Sequence, residues 1–451
     1  MRPLMKFFAP ISSILLLFAL RGYGQAVPTA GLSTSYNVGA DPTAGRRLSW
    51  VDGTLHYSLM ANEMIQFGFY GQGRNTSTTA LAGNVAYATL SETHPFALLF
   101  GGGVLIGQGG QGTTTYQNVA VSQSYIKGRW IFSANDSFSF LPQSPTSGIN
   151  GIAGTPLGSI PLDGPSDGPA GGVLTYSGNR ISNSLSGNVE RMLTGKTSIS
   201  GGGSWMVLHF LDQNAGFDTN SASAQVGVNH RIDVRNSYSV SGVYSQFTTS
   251  GITFTTPAFP QSQITYYTKG VNGSYSRQWT RLIGTTISAG PQWITSSNSQ
   301  LVPDRLTTFV NASASYSREV GQFALRYNRG ANGGSGAFAG AVSDNVSASF
   351  SRNLARDWSL SALVSYVRTN GLVQGAPVGV PIGTNRTITT EYGTLQVMHG
   401  FSRTITAHAS YSAQNQDSNS PITAQNVVSG LSHTIGFGVS WSPRSARFGD
   451  F

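Results

Sequence analysis

Ser432-His433-Thr434-Ile435-Gly436-Phe437-Gly438-Val439-Ser440-Trp441-Ser442 is the stretch whose reading decides the fold. Ile435, Phe437, Val439 and Trp441 fall on one side of an extended chain; Thr434, Gly436, Gly438 and Ser440 fall on the other. Successive side chains of a strand point to opposite faces, so this segment has one large apolar face and one small polar face. The pattern predicts a wall strand with its apolar side toward lipid and its polar side toward a wet interior.

The alternation recurs along the chain. Ala222, Ala224, Val226 and Val228 oppose Ser223, Gln225, Gly227 and Asn229. Val310, Ala312, Ala314 and Tyr316 oppose Asn311, Ser313, Ser315 and Ser317. Phe323, Leu325 and Tyr327 oppose Ala324, Arg326 and Asn328, and Ile405, Ala407, Ala409 and Tyr411 oppose Thr406, His408 and Ser410. A soluble sandwich also alternates, but its outer face is usually charged. Here the second face is Ser, Thr, Gly and Asn, which favours a membrane barrel.

Composition agrees. Charged residues make up 10% of the 451 residues and Gly contributes 56, with a mean hydropathy of -0.09. Alternating apolar and polar positions average to this near-neutral value. Arg2 and Lys6 precede an apolar run from Phe7 to Leu20, broken by Pro10 and Ser12-Ser13, and small residues follow at Gly22, Gly24 and Ala26. This predicts a secretory signal peptide over 1–25 and a single exported domain over 26–451. The run is shorter and more interrupted than a membrane helix of ~20 apolar residues. There is no Cys, so no disulfide framework supports the exported chain.

Connections alternate in length. Short ones are expected near 91–95, 127–129, 194–196, 233–236, 280–281, 319–321, 354–357 and 402–403. Longer ones are expected at 141–172, 251–261, 297–303, 330–336, 370–385 and 416–424. The fold class expected is all-β: a transmembrane antiparallel up-and-down barrel of about 18 strands, within roughly 16–20. Short turns belong to the periplasmic side of such barrels, so both termini are expected there, in the outer membrane.

Lys127, Arg129, Arg191, Lys196, Arg231, Arg235, Arg277, Arg281, Arg318, Arg352, Arg356 and Arg403 gather at the short turns, with Trp130, Trp279, Trp358 and Phe401 beside several of them. Arg and Lys reach lipid phosphates at headgroup level, where aromatic rings also settle. A rim of this kind explains the net charge of +9 without nucleic acid as a partner. Outer-membrane lipid and lipopolysaccharide are the expected surroundings.

Asp136 shares the phase of Phe132 and Phe138, so a bulge that re-aims it away from lipid is expected. Pro291 lacks a ladder donor and predicts a kink or strand end. The seven His residues have no metal-ligand spacing, and His209 near Asp212 lacks a third group to orient a base. No catalytic residue, cofactor or metal is expected. His408 reads as a solvated lumen side chain, and Asn332-Gly333-Gly334-Ser335-Gly336 as a mobile tip.

The 141–172 segment contains Pro142, Pro145, Pro156, Pro161, Pro165 and Pro169, many glycines, and Asp163 and Asp167. A long loop without secondary structure is often functional. It is expected to fold inward and narrow the lumen, with Asp163 and Asp167 there and Lys269 and Arg326 on the wall as the candidate constriction or lumen residues.

The chain resembles the outer-membrane β-barrel proteins of Gram-negative bacteria, in a porin-like form. It is similar to an uncharacterised group of exported barrels, through Phe138-Ser139-Phe140-Leu141-Pro142, Ser288-Ala289-Gly290-Pro291-Gln292-Trp293 and the ending Ile435 to Arg444. The resemblance implies insertion by the barrel-assembly machinery, with the final-strand aromatics Phe437 and Trp441 as the signal. A barrel of roughly 16–18 strands is wide enough for an aqueous channel. Passage of small solutes is therefore the first expectation, and a non-enzymatic surface-binding or export-associated barrel the alternative.

Overall fold

The structure, a computed structural model, describes residues 53–68, 76–89, 91, 93–107, 113–142, 179–211, 217–250, 263–299, 301–318, 320–334, 338–373, 387–419, 430–443 and 446–448. The chain runs β1 (Gly53–Gly68), β2 (Thr76–Thr89), β3 (Phe96–Gly107), β4 (Thr113–Lys127), β5 (Trp130–Pro142) and β6 (Asn179–Met192). It continues β7 (Thr197–Phe210), β8 (Asp218–Arg231), β9 (Asn236–Ser250), β10 (Gln263–Gln278), β11 (Ile283–Ser296) and β12 (Arg305–Arg318). Then come β13 (Gly321–Asn332), β14 (Ala341–Asn353), β15 (Trp358–Gly371), β16 (Thr387–Gly400), β17 (Ile405–Ser418), β18 (Gly430–Trp441) and β19 (Ala446–Phe448).

Each long strand pairs antiparallel with its neighbours in sequence, and β1 also pairs with β18. The sheet is thereby closed, as an 18-strand up-and-down barrel. Closure removes the free edges that lipid could not satisfy. The short β19 adds to the foot of β1, with Gly53 opposite Phe448.

The period-2 reading of the wall holds. Leu59 faces Trp441, and Ile65 faces Ile435, across the closing seam. Val226 and Val364 are each 62% exposed on the wall exterior, while Ser365, next to Val364, is 2% exposed. The lumen face is polar and internally bonded. Gln66 donates to Ser432 (2.7 Å), Ser365 to Asn345 (3.2 Å) and Thr390 to Gln416 (2.9 Å). Such an apolar exterior would be an aggregation surface in water and is a solvation match in lipid.

One local device builds five of the short turns. In 193–197, 232–236, 279–283, 354–358 and 401–405, the first N–H donates to the fifth carbonyl, at 2.9–3.0 Å. Four of these turns place a short polar side chain second. Asp233 Oδ1 accepts from the N–H groups of Arg235 (2.7 Å) and Asn236 (2.9 Å). Thr194, Thr280 and Ser402 accept in the same way. These side chains satisfy backbone donors that the ladder has released. The first residue of each turn, from Leu193 to Phe401, is large, apolar and exposed. Beside them, the Arg277 guanidinium lies 4.0 Å from the Trp279 ring and that of Arg191 lies 5.0 Å from Trp130. The basic and aromatic residues thus form one rim at the turn end.

Three local expectations change. Asp136 is not turned inward by a bulge. It keeps unbroken register with Val121 and Leu185, on the exterior face shared by Phe132 and Phe138. Asn183 Nδ2 donates to it at 2.9 Å, so a neighbouring amide does what the bulge was expected to do. Pro291 does not end its strand either: β11 continues through it, opposite Thr308 of β12. Only the pairing with β10 is interrupted, between Gly270–Gln292 and Gly273–Ala289, where Pro offers no N–H. His408 faces the lumen but is 7% exposed, packed against Gly438, and is not a solvated side chain.

Candidate functional site at the loop end of the lumen

The lumen narrows at the loop end, and its narrowing starts with the wall. On β10 the lumen phase is set by Asn272, Ser274 and Ser276, yet toward the loop end that same phase carries Tyr266 and Ile264. Both are buried, with Ile294 of β11, under Leu301, Val302, Ala339, Leu372 and Val373 from the connections after β11, β13 and β15. Phe247 of β9 stacks on the Tyr266 ring at 4.8 Å. These loops fold over the mouth and bury apolar side chains against the wall, where burial is favourable.

The connection after β13 reaches furthest. Thr219 of β8 donates through Oγ1 to the Gly333 carbonyl at 3.4 Å. β8 and β13 are five strands apart, roughly 24 Å along the wall at ~4.8 Å per strand. The Tyr266 hydroxyl donates to the Asn332 carbonyl, and Leu372 N–H donates to the Gly340 carbonyl at 2.9 Å. Gly334 (φ 77°) and Gly340 (φ 99°) take the left-handed conformations that let the segment turn back on itself. A Cβ on Gly340 would lie 2.6 Å from the Tyr266 ring, so this position also needs the absent side chain. The described part of 332–340 is therefore packed across the mouth. Asn332 and Gly333 are thus anchored where a mobile tip was expected, while Ser335 and Gly336 lie outside the described residues.

Charge on the described lumen face is mostly basic. Arg180 (β6) is 4% exposed at the loop end, beside the buried pair Leu208 and Phe210, and its Nε has no partner among the described residues. Arg305 (β12) lies next to Ile294 of the apolar cluster, and Arg326 (β13) lies lower, opposite Ser313 and Ser347. Arg231 stands at the foot of β8, and Glu190 of β6 is the acid on this face among the described strands. Asp136, Glu63, Asp218, Asp344, Glu391 and Asp417 lie on the exterior phase.

Of the residues singled out from sequence, Arg326 lies on the lumen face. Lys269 does not: it shares the exterior phase of Val271 and Tyr275, between Tyr244 and Trp293. Asp163 and Asp167, with nearly all of 141–172, lie outside the described residues. His209 pairs with Asp218 at 2.6 Å on the exterior, and Asp212 lies outside the described residues. Tyr266, Arg180, Arg305 and the Thr219–Gly333 contact were not anticipated. The signal for Tyr266 was available, since two large apolar residues on a polar phase call for something to cover them.

No protein-family model matches the chain, and no curated protein is similar to it at a significant level. Among solved structures, it is similar to Pseudomonas aeruginosa OprD at 11% identity and TM-score 0.40, covering 89% of this chain and 97% of that one. It is similar to P. aeruginosa OccK2 in complex with glucuronate at 9% identity and TM-score 0.41, covering 86% and 97%. It is similar to Acinetobacter baumannii OccAB4 at 8% identity and TM-score 0.43, covering 89% and 99%. At such identities and scores the likeness decides neither substrate nor location, which rest on this chain's own geometry.

Proposed function

We propose that the protein is an outer-membrane channel for small hydrophilic solutes, with its short turns and both termini periplasmic. The observation that carries this reading is the closed wall of 18 strands with an apolar exterior and a lumen face of Ser, Thr, Asn and Gln. A wall of about this strand number encloses more space than its own side chains fill. The loops at the mouth set an upper size, and Arg305 and Arg326 favour anionic over cationic solutes. We further propose, from composition alone, that the 141–172 segment with Asp163 and Asp167 narrows the lumen. Nothing in the reading calls for catalysis.

The test is single-channel recording of the refolded protein in a planar bilayer under a salt gradient. Discrete conductance steps are expected, with a reversal potential on the anion side that moves toward cations in Arg326→Ser. A correctly folded barrel that never conducts would overturn the channel in favour of the surface-binding or export-associated barrel. Fractionation of the native host should place it in the outer membrane.

A further inference from the structure

The lumen face of the wall is buried over one half of the barrel and largely open over the other. On β15, Ser361, Leu363, Ser365, Val367 and Thr369 follow one another on the lumen phase at 5, 4, 2, 0 and 1% exposure. On β14, Ser343, Asn345, Ser347 and Ser349 are buried as well. The row continues through β16–β18 and β1–β3, each with buried lumen residues, to β4, where Tyr116, Ala120, Ser122 and Ser124 are buried. It stops sharply on both sides. The described lumen side chains of β12, β13 and β5 are all half-buried or exposed, and β6 buries Arg180 alone. On β7–β11, burial below the mouth is scattered, at Ser198, Asn229, Ser245, Asn272 and Ser288. Side chains that point into a lumen wider than they can fill stay wet unless something lies on them. The covered half also carries what a packing partner needs. Met60, Met64, Ala80, Ala82, Leu105 and Tyr116 form a buried apolar patch on β1–β4. The Tyr116 hydroxyl, Ser124 Oγ, His408 Nδ1 and Gln414 Nε2 are buried with no partner among the described residues. A chain laid along this face supplies apolar contacts for the patch and backbone groups for those polar atoms.

We propose that the 26–52 segment lies inside the lumen along this half, running upward from the foot of β1, and this rests on the wet-lumen reading above. The burial reaches the turn end: Ser361, His408 and Ser124 each lie three residues from that end of their strands. β1 stands within the covered row, and 26–52 joins it at the same end. The 143–178 segment joins β5 and β6 instead, at the loop end, where the covered row has already stopped. Extended at ~3.3 Å per residue, the chain from Tyr36 to Gly53 spans roughly 55 Å, more than the roughly 35 Å height of a wall of tilted strands. In an extended chain Leu32, Tyr36 and Val38 share one face, and Ser33, Ser35 and Asn37 share the other. The first face suits the apolar patch and the second suits water. The path left for solutes then runs along β5–β13, past Arg305 and Arg326.

The chain has no Cys, so single introduced thiols report on each half. Ala82→Cys and Ser347→Cys lie in the covered half, and Ser184→Cys and Ser313→Cys in the open half. With the protein refolded into vesicles, a water-soluble maleimide should label the first two roughly tenfold more slowly than the last two. Adding L32S/Y36S/V38S should remove that difference and enlarge the single-channel conductance. Under mild oxidation, Tyr36→Cys should crosslink to Ala82→Cys or Ser347→Cys and not to Ser313→Cys. Equal labelling of all four thiols without the triple substitution would overturn the proposal. So would protection that survives the triple substitution, or a crosslink to the covered half from Ser166→Cys of the 143–178 segment and none from Tyr36→Cys. Labelling needs no current. A protected half in a barrel that never conducts therefore defeats only the channel, and equal labelling in a conducting barrel defeats this inference alone.

Discussion

Thr219 of β8 and Gly333, which follows β13, are joined by a hydrogen bond of 3.4 Å across the mouth of the lumen. No neighbouring-strand contact could bring them together, so the bond reports a connection folded inward. Its anchor is Tyr266, fully buried and bonded to the Asn332 carbonyl. Removing a buried aromatic ring costs about 3 kcal/mol of local packing, enough to free a short loop. Tyr266→Ala combined with Gly333→Val should therefore give a folded barrel with larger single-channel conductance. Unchanged conductance would mean that this loop does not limit the path.

Wall alternation predicts where charge is tolerated. Arg at Val226, Val364 or Val439, each more than half exposed on the exterior, should cost roughly 2–4 kcal/mol in folding titrations into vesicles. Arg at Ser313 or Ser440, on the lumen phase, should cost much less. Ser365 belongs to a different class despite its lumen phase. It is buried and bonded to Asn345, so Arg there should also be costly through packing. Matching costs at Val364 and Ser313 would refute the assigned faces.

The strands and the places of the short turns were legible because they depend on residues two to five apart. Period 2 places every wall side chain, and Thr194, Asp233, Thr280 and Ser402 announce their turns locally. Lys269 was misplaced although its phase was readable: Tyr267, Val271 and Tyr275 lie with it, while Thr268, Asn272 and Ser274 oppose it. A charge was read as a lumen residue against its own periodicity. The mouth was not legible, because Thr219 and Gly333 are 114 residues apart and no local pattern encodes their meeting.

Asp136 gives the sharpest test of how the wall tolerates polar groups. Its carboxylate faces outward and accepts from the Asn183 side-chain amide at 2.9 Å. Asn183→Leu removes that donor and should destabilise the barrel by about 1–3 kcal/mol, the cost of an unsatisfied polar group. Asp136→Leu in the same background should recover most of the loss, because both polar groups are then gone. The comparison is a double-mutant cycle by denaturant titration. Additive losses would show that the pair is not coupled.

The turn at 232–236 differs from its sister at 279–283 in one respect that pH can read. Both cap their backbone with the second side chain, but Asp233 can be protonated and Thr280 cannot. Bonds from the Asn236 side chain first, and then from the Arg235 backbone N–H, hold the Asp233 carboxyl below the usual carboxylate range. A depressed acid supports the folded turn at pH values above its unfolded pKa and loses that support as pH falls through its folded pKa. Protection of the Arg235 and Asn236 amides against hydrogen exchange should therefore be intact near neutrality and drop in acid. Corrected for intrinsic rates, the Leu282 and Ile283 amides should show no such drop. Asp233→Thr should keep the turn and abolish its acid sensitivity, since Thr caps the sister turn. If the two turns lose protection together as pH falls, the carboxylate is not what holds 232–236.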